Sequence, residues 1–174
     1  MRPTMAFDLQ PVLRGALVTL RPLLASDFDA LYAVASDPLI WEQHPVQDRY
    51  KKEVFEVFFR EALDSGGALV VLDATTEKVI GSSRFNGLDE EASEIEIGWT
   101  FLARSHWGGI YNPEMKALML QHAFRFVEYV IFMVGPLNLR SQKAVQKTGG
   151  VRAGSRTDSA GRESFLYRIT APPR

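Results

Sequence analysis

The clearest pattern in the chain is a strict alternation of apolar and polar residues between Glu94 and Leu102. One side of an extended backbone here would carry Ile95, Ile97, Trp99 and Phe101, and the other side Glu94, Glu96, Gly98 and Thr100. Because successive side chains of a strand point to opposite faces, the alternation predicts a strand with one buried face. The second face is predicted to carry the two carboxylates.

The segment that follows predicts a helix and a second strand. Helical spacing relates the apolar residues Ala117, Leu120, Phe124 and Val127, and Pro113 suits the first position of that helix. The run from Val130 to Val134 is apolar throughout, as in a strand buried on both faces. Residues 94–134 therefore predict a strand–loop–helix–strand crossover, the connection that joins parallel strands.

The flanking segments add strands and helices. Strands are predicted over 17–23, 68–72, 79–85, 151–156 and 164–170, with a turn at 157–161 between the last two. Helices are predicted over 51–63 and 138–148, and a third is capped by Ser26 and ended by Asp37-Pro38. Residues 1–15 are weakly patterned and are expected to form a loose lead-in.

Composition narrows the class of protein. The chain has 174 residues, 46% of them hydrophobic and 24% charged, so one soluble domain is expected over 1–174, with its core over about 17–170. A net charge of −1 disfavours a general nucleic-acid binder. The absence of cysteine excludes thiol nucleophiles, and the three histidines form no HExxH pattern, so no metal site is expected. No apolar run approaches the ~18 residues that span a membrane, which predicts a cytoplasmic protein without a membrane partner.

Two features could carry chemistry. Gly108 and Gly109 precede the helix near Pro113, and backbone N–H groups at such a helix start can bind a phosphate, although an ordinary turn explains the glycines equally well. Glu96, with Glu94 as second choice, could accept a proton from an amine in a partly dry cleft. The alternative is that both carboxylates are solvated or ion-paired.

The order of elements, the strand Glu94–Leu102, the loop Ser105–Asn112 and the helix with Asn138, Ser141 and Lys147-Thr148-Gly149 resemble the GCN5-related N-acetyltransferases, or GNAT family. The helix is most similar to the RimJ/RimL-like branch, and the resemblance covers about 17–170. It implies an α/β fold (an α+β mixed sheet) with a splayed central sheet of six to seven strands and helices on both faces. It also implies transfer of an acetyl group from acetyl-CoA to a primary amine, by direct attack in a ternary complex.

The resemblance assigns roles to individual residues. Glu96 would be the base, and Ser141 would face the thiol, although Ser141 could instead serve only the turn that Asn138 caps. The residues implied to hold acetyl-CoA are Phe101, Leu102, His106, Trp107, Gly108, Gly109, Ile110, Tyr111, Asn112, Asn138 and Ser141. Ser105 and Ile110 depart from the family's phosphate motif, and Val145 stands where many members have a Tyr.

The acceptor side is less defined. Trp41, His44 and Glu94 are predicted to line it, although a packed histidine is an equally simple explanation of His44. The acceptor would be a protein N-terminus or a small amine, and a homodimer is left open. The alternative function is a non-catalytic acyl-CoA-binding or sensor protein on the same fold.

Overall fold

In the computed structural model, which describes residues 5–157 and 161–173, one mixed sheet runs through the molecule. Its strands lie in the order β1-β2-β3-β4-β5-β6-β8-β7. Their bounds are β1 (Leu13–Arg14), β2 (Val18–Pro22), β3 (Ala68–Asp73), β4 (Val79–Asp89), β5 (Glu94–Leu102), β6 (Tyr129–Val134), β7 (Val151–Thr157) and β8 (Glu163–Thr170). Only β5 and β6 pair in parallel among the described strands, as the predicted crossover requires.

Helices cover both faces of the sheet, as expected. Their bounds are α1 (Phe28–Ala35), α2 (Lys52–Ser65), α3 (Tyr111–Ala123) and α4 (Leu139–Lys147). Alternate residues of β3 belong to two separate cores: Ala68 and Val70 pack with α1 and α2, whereas Leu69 and Val71 pack with α3. We call these two sides the α2 face and the α3 face. No helix in the described ranges is long and apolar enough to cross a membrane.

The two central strands separate soon after they meet. Parallel pairing between β5 and β6 covers only Glu94 to Glu96, opposite Tyr129 to Ile131. Beyond that point β5 continues along β4, and β6 continues along β8. The separation leaves the backbone of both strands without a strand partner on the facing edge.

A β-bulge in β5 overturns part of the predicted alternation. Ser82 pairs with Phe101 and Arg84 with Gly98, so β5 has one residue more than β4 across this step. Trp99 lies in the bulge with a φ of 52°, which is rare for a residue with a large side chain. Consequently Ile95 and Ile97 lie on the α3 face, whereas Phe101 lies on the α2 face.

Most predicted elements are confirmed, and the exceptions have local causes. The additional strand is β1, and the expected loose lead-in is wrong for the described part, since Phe7 and Leu9 pack on the α3-face core. Buried Asp27, rather than Ser26, holds the start of α1, because it accepts a hydrogen bond from the N–H of Leu24 and pairs with Arg21.

Two further predictions need adjustment. Helix α3 begins at Tyr111, two residues before Pro113, and its buried side is centred on Met115, Met119 and Ala123 rather than on the exposed Ala117. The predicted turn at 157–161 includes 158–160, which lie outside the described residues.

Candidate active site

The loop between β5 and α3 lies at the wide end of the strand separation. Gly108 and Gly109 have φ angles of 91° and 143°, and an added Cβ at either would meet no atom within 4 Å. Their backbone is therefore open to a ligand, in a conformation that favours glycine. Ile110 has a φ of −114° and an exposed side chain, so its branched side chain brings no backbone strain to the loop. The loop and the start of α3 together fit a phosphate group.

Side chains anchor this loop to the sheet. His106 Nε2 lies 2.9 Å from Asp73 Oδ2, and its Nδ1 lies 2.8 Å from Ser105 Oγ. Because a carboxylate only accepts, Nε2 donates to Asp73, and Nδ1 and the hydroxyl of Ser105 share the second hydrogen bond. The His106 ring and the N–H groups of Thr75 and Thr76 lower the pKa of Asp73. His106 thus fixes the loop against the turn after β3.

A second contact ties the loop across the cleft. The indole N–H of Trp107 donates to the carbonyl of Leu102 at 2.9 Å, and the guanidinium of Arg140 in α4 lies 4.0 Å from the centre of the Trp107 ring. Arg104, one residue before Ser105, pairs with Asp37 beyond α1. Trp107 therefore joins the end of β5 to α4 on the opposite side of the strand separation.

The two carboxylates of β5 have different surroundings. Glu94 pairs with two arginines, with Oε1 3.6 Å from Arg156 Nη2 and Oε2 3.4 Å from Arg168 Nη2. Glu96 forms no ion pair within the described residues, and it lies at the last parallel pair before the strands separate. Burial raises the pKa of Glu96 to about 7, although Arg156 and Arg84 oppose the shift. A pKa of about 7 gives Glu96 the protonation range of a general base at neutral pH.

Thr100 does not join these carboxylates, contrary to the alternation. The bulge turns its side chain to the α3 face, where Thr100 Oγ1 accepts from Lys116 Nζ at 2.9 Å. Lys116 is 5% exposed and lies over the ring of Phe132, and burial lowers its pKa to about 7. Sequence reasoning did not identify Lys116. It is a single charged residue on an otherwise apolar helix face, and one residue is too weak a signal in the sequence.

Two of the three predicted acceptor residues, Trp41 and His44, lie together on the α2 face, whereas Glu94 lies at the start of β5 with Arg156 and Arg168. Trp41 is buried and donates its indole N–H to the carbonyl of Ala35 at 2.8 Å, so only its ring is available, and that ring contacts His44 and Phe101. His44 Nδ1 accepts from the N–H of Val46 at 2.9 Å. Burial, with the nearby charge of Arg49, lowers the pKa of His44 to about 4. His44 is therefore neutral at pH 7 and offers Nε2–H as a donor.

Asn138 and Ser141 begin α4 on the far side of the cleft. Asn138 Oδ1 accepts from the N–H of Ser141 at 3.3 Å, which makes Asn138 the helix N-cap. The Ser141 hydroxyl is half-buried and has no hydrogen-bond partner among residues 5–157 and 161–173, so it remains available to a ligand. Val145, the position of the absent Tyr, is buried in the core of the α3 face.

Two arginines lie on the α2 face, and sequence reasoning missed the first of them, Arg84. Arg84 lies within β4 and is 6% exposed, stacked 4.3 Å from the centre of the Trp99 ring. Arg49 lies 4.6 Å from the centre of the Phe58 ring and 5.4 Å from that of Trp41. A cation in the middle of the otherwise uncharged run Val79–Phe85 was the available signal for Arg84.

Comparison with known proteins agrees with this geometry. The family model for the acetyltransferase (GNAT) domain matches residues 18–151. A protein assigned as an acetyltransferase from T. thermophilus is 28% identical with a TM-score of 0.74, over 91% of this chain and 88% of that one. The acetyltransferase of Agrobacterium tumefaciens is 25% identical with a TM-score of 0.73, over 98% of this chain and 100% of that one.

A RimJ structure is also among the matches. Mycobacterium smegmatis RimJ, solved with CoA-disulfide, is 21% identical with a TM-score of 0.68, over 88% of this chain and 82% of that one. At this identity the likeness concerns the fold. A search of curated proteins found no match.

Proposed function

The chain belongs to the GNAT family of acetyltransferases, and from this premise we propose that it moves an acetyl group from acetyl-CoA to a primary amine, with Glu96 as the general base. The acceptor would be a protein N-terminus or a small amine. The observation that carries the proposal is the position of Glu96, where β5 and β6 separate, together with its lack of an ion-pair partner in the described chain.

The residues present fit acetyl-CoA. Gly108 and Gly109 leave open space above the backbone, and the first turn of α3 adds free N–H groups that favour a diphosphate. The unpaired edge of β5 beyond Glu96 offers N–H and C=O groups to the amide-containing arm of the cofactor. Bound there, acetyl-CoA supplies an activated acetyl group in the form of a thioester.

The roles of the chain's own residues follow from protonation. An alkylammonium with a pKa near ~10 has no free electron pair at neutral pH, so Glu96 accepts its proton before attack. In the overall reaction an N–H and a C–S bond are replaced by a C–N and an S–H bond. The free hydroxyl of Ser141 donates a hydrogen bond or relays a proton to the departing sulfur, and no covalent enzyme intermediate is needed.

The test compares two neighbouring carboxylates by thiol release from acetyl-CoA, with a panel of amines and N-terminal peptides. Glu96→Gln should lower kcat/KM by about 100-fold or more, because general-base catalysis contributes roughly that much. Glu94→Gln, the matched control on the same strand face, should retain activity within about tenfold. The wild-type profile should show a step at an apparent pKa of about 7 that the Glu96→Gln variant lacks.

Other outcomes would contradict the proposal. An equal loss in Glu94→Gln, or an unchanged pH step in Glu96→Gln, would remove Glu96 from the role of base. Saturable binding of acetyl-CoA, visible as about 2.7 kcal/mol of stabilisation at ~100 times Kd, without thiol release to any acceptor would favour the acyl-CoA sensor. Cytoplasmic location and homodimer formation stay predictions.

A further inference from the structure

Arg84 has a buried guanidinium edge without a partner. It is 6% exposed, yet its Nε and Nη2 have no hydrogen-bond acceptor in the described part of the chain. Buried polar groups are almost always hydrogen-bonded, and a charged donor pair is among the least favourable groups to leave unpaired. The edge therefore needs an explanation that the protein's own described atoms do not supply.

Stacking does not provide that explanation. The Arg84 guanidinium lies 4.3 Å from the ring centre of Trp99 and 5.8 Å from that of Phe58. A cation–π contact uses the flat face of the guanidinium, whereas its N–H groups point outward in the plane. The rings thus hold the group in place and leave Nε–H and Nη2–H directed along one edge. Two parallel N–H donors of this kind match the two oxygens of a carboxylate.

A second arginine adds positive charge beside Arg84. Arg49 also packs on Phe58, its Nε is likewise buried without a hydrogen-bond partner in the described chain, and Arg84 and Arg162 both act on it with like charge. The carboxylates that act on Arg84 are Glu61 and Glu96, and neither accepts from its Nε or Nη2. Arg49, but not Arg84, also lines a cavity of about 300 Å³, together with Phe58 and the carboxylates of Glu53 and Glu61.

Arg84 lies close to the proposed base. Arg84 pairs with Gly98 and Asn86 pairs with Glu96, so Arg84 and Glu96 are diagonal neighbours on the same sheet face. Diagonal neighbours are about 7–8 Å apart at the backbone, and their side chains reach toward each other. An amine at Glu96 and a carboxylate at Arg84 would thus fall within the span of one small molecule or one residue.

We propose that the acceptor amine carries a carboxylate, which Arg84 binds side-on through Nε and Nη2 while Arg49 adds positive charge. This inference rests on the proposed acetyl transfer, because it names the acceptor of the same site. The carboxylate is either the acceptor's own α-carboxylate, as in a free amino acid, or an acidic side chain next to a peptide N-terminus.

A binding experiment tests the inference independently of turnover. The CoA-loaded protein is titrated with N-acetyl derivatives of alanine, serine and glutamate, each as the free acid and as the amide, with the melting temperature as readout. At least one free acid should bind about tenfold or more tighter than its amide. For N-acetylglutamate, the derivative whose α-carboxylate alone is converted to an amide keeps only the side-chain carboxylate. Its binding therefore distinguishes an α-carboxylate from an acidic side chain as the group that Arg84 binds.

The variants identify the responsible group. Arg84→Met keeps an unbranched apolar side chain for stacking and should abolish the preference for the free acid. Arg84→Lys keeps the charge but not the two parallel N–H donors, and it should reduce the preference strongly. Arg60→Met, on the exposed side of α2, is the matched control and should leave the preference unchanged. If Arg84→Met fails to fold, the same comparison of free acids with amides is made with Arg84→Lys and Arg49→Met, and both should show a reduced preference for the acid.

The results separate this inference from the proposed function. Equal binding of acids and amides, binding of neither, or an acid preference that survives in Arg84→Met would overturn the carboxylate inference. Thiol release to neutral amines would then still support acetyl transfer. Conversely, Arg84-dependent acid binding without thiol release from any acceptor would leave the site intact and refute the transfer reaction.

Discussion

Replacing Glu96 with Gln should change stability as well as activity, and the stability change depends on pH in a defined way. Glu96 lies half-buried at the point where β5 and β6 separate, without an ion-pair partner among the described residues. Its folded-state pKa is about 7 because burial disfavours the charged form, against 4.5 for a solvated side chain. Gln has nearly the same shape and cannot ionise, so the variant isolates the free energy of charging this carboxyl.

The sign follows from proton counting. Between pH 4.5 and about 7 the folded protein keeps a proton on Glu96 that the unfolded chain has lost. The free energy of unfolding therefore falls as pH rises through this window. The difference between the two pKa values corresponds to about 3 kcal/mol once both states are ionised. The Gln variant avoids this loss, so its stability relative to wild type should rise by that amount from pH 4.5 to about pH 8.

Urea unfolding of both proteins across this pH range measures the difference directly. All other groups titrate alike in the two proteins, so their contributions cancel in the difference. Glu94→Gln, which removes a carboxylate that pairs with Arg156 and Arg168 on the same strand face, serves as the matched control. A Glu96→Gln difference that does not change with pH would show that Glu96 is hydrated and refute its assignment as a base poised near neutrality.

Two further substitutions test other parts of the site. Lys116→Met should stabilise the protein at pH 7 by roughly 3 kcal/mol after loss of the bond to Thr100, because the buried ammonium has a pKa of about 7. The free energy of unfolding of the wild type should rise between pH 7 and 10.5, because the unfolded chain holds an extra proton there. That rise should vanish in the variant. If urea unfolding shows the same rise in the variant, the lowered pKa is not that of Lys116. Gly109→Ala should weaken acetyl-CoA binding about tenfold or more in a calorimetric titration, because a φ of 143° is strained for any residue with a side chain. Unchanged affinity would exclude the loop from the phosphate site.

The strands and helices could be predicted well where periodicity was uninterrupted. The bounds of β5 were predicted as they are observed, and the crossover from β5 to β6 is confirmed. The side-chain faces were predicted wrongly after Gly98, because a bulge is a property of two strands in register and leaves no mark in one strand's alternation. The strand β1 was missed for a similar reason, since it is two residues long and exists only by pairing with β2.

The residues of the candidate site also divide into those that the sequence could identify and those that it could not. Glu96, Gly108, Gly109 and Ser141 could be selected because the resemblance to the GNAT family gives each of these positions a role. Arg84 and Lys116 could not, since what distinguishes them is the loss of water around a charge, and burial depends on neighbours from distant segments. Each is a single cation on an otherwise buried face. In other chains, a single charged residue within an apolar pattern is a weak sign of a buried charge.

The bulge at Trp99 also determines how this strand tolerates changes in length. Between Gly98 and Phe101 the strand holds one residue more than its partner, and that residue shifts the phase of everything after it. Deleting one residue of the bulge would remove the extra residue and leave Phe101 opposite Ser82, on the α2 face that it occupies now. Deleting one residue between Ile95 and Ile97 would instead shift part of the strand by one position and turn a buried side chain to the opposite face. A scan of single-residue deletions should therefore find residues 95–97 far less tolerant than the bulge or the exposed edge strand β7, in which no buried pattern depends on phase.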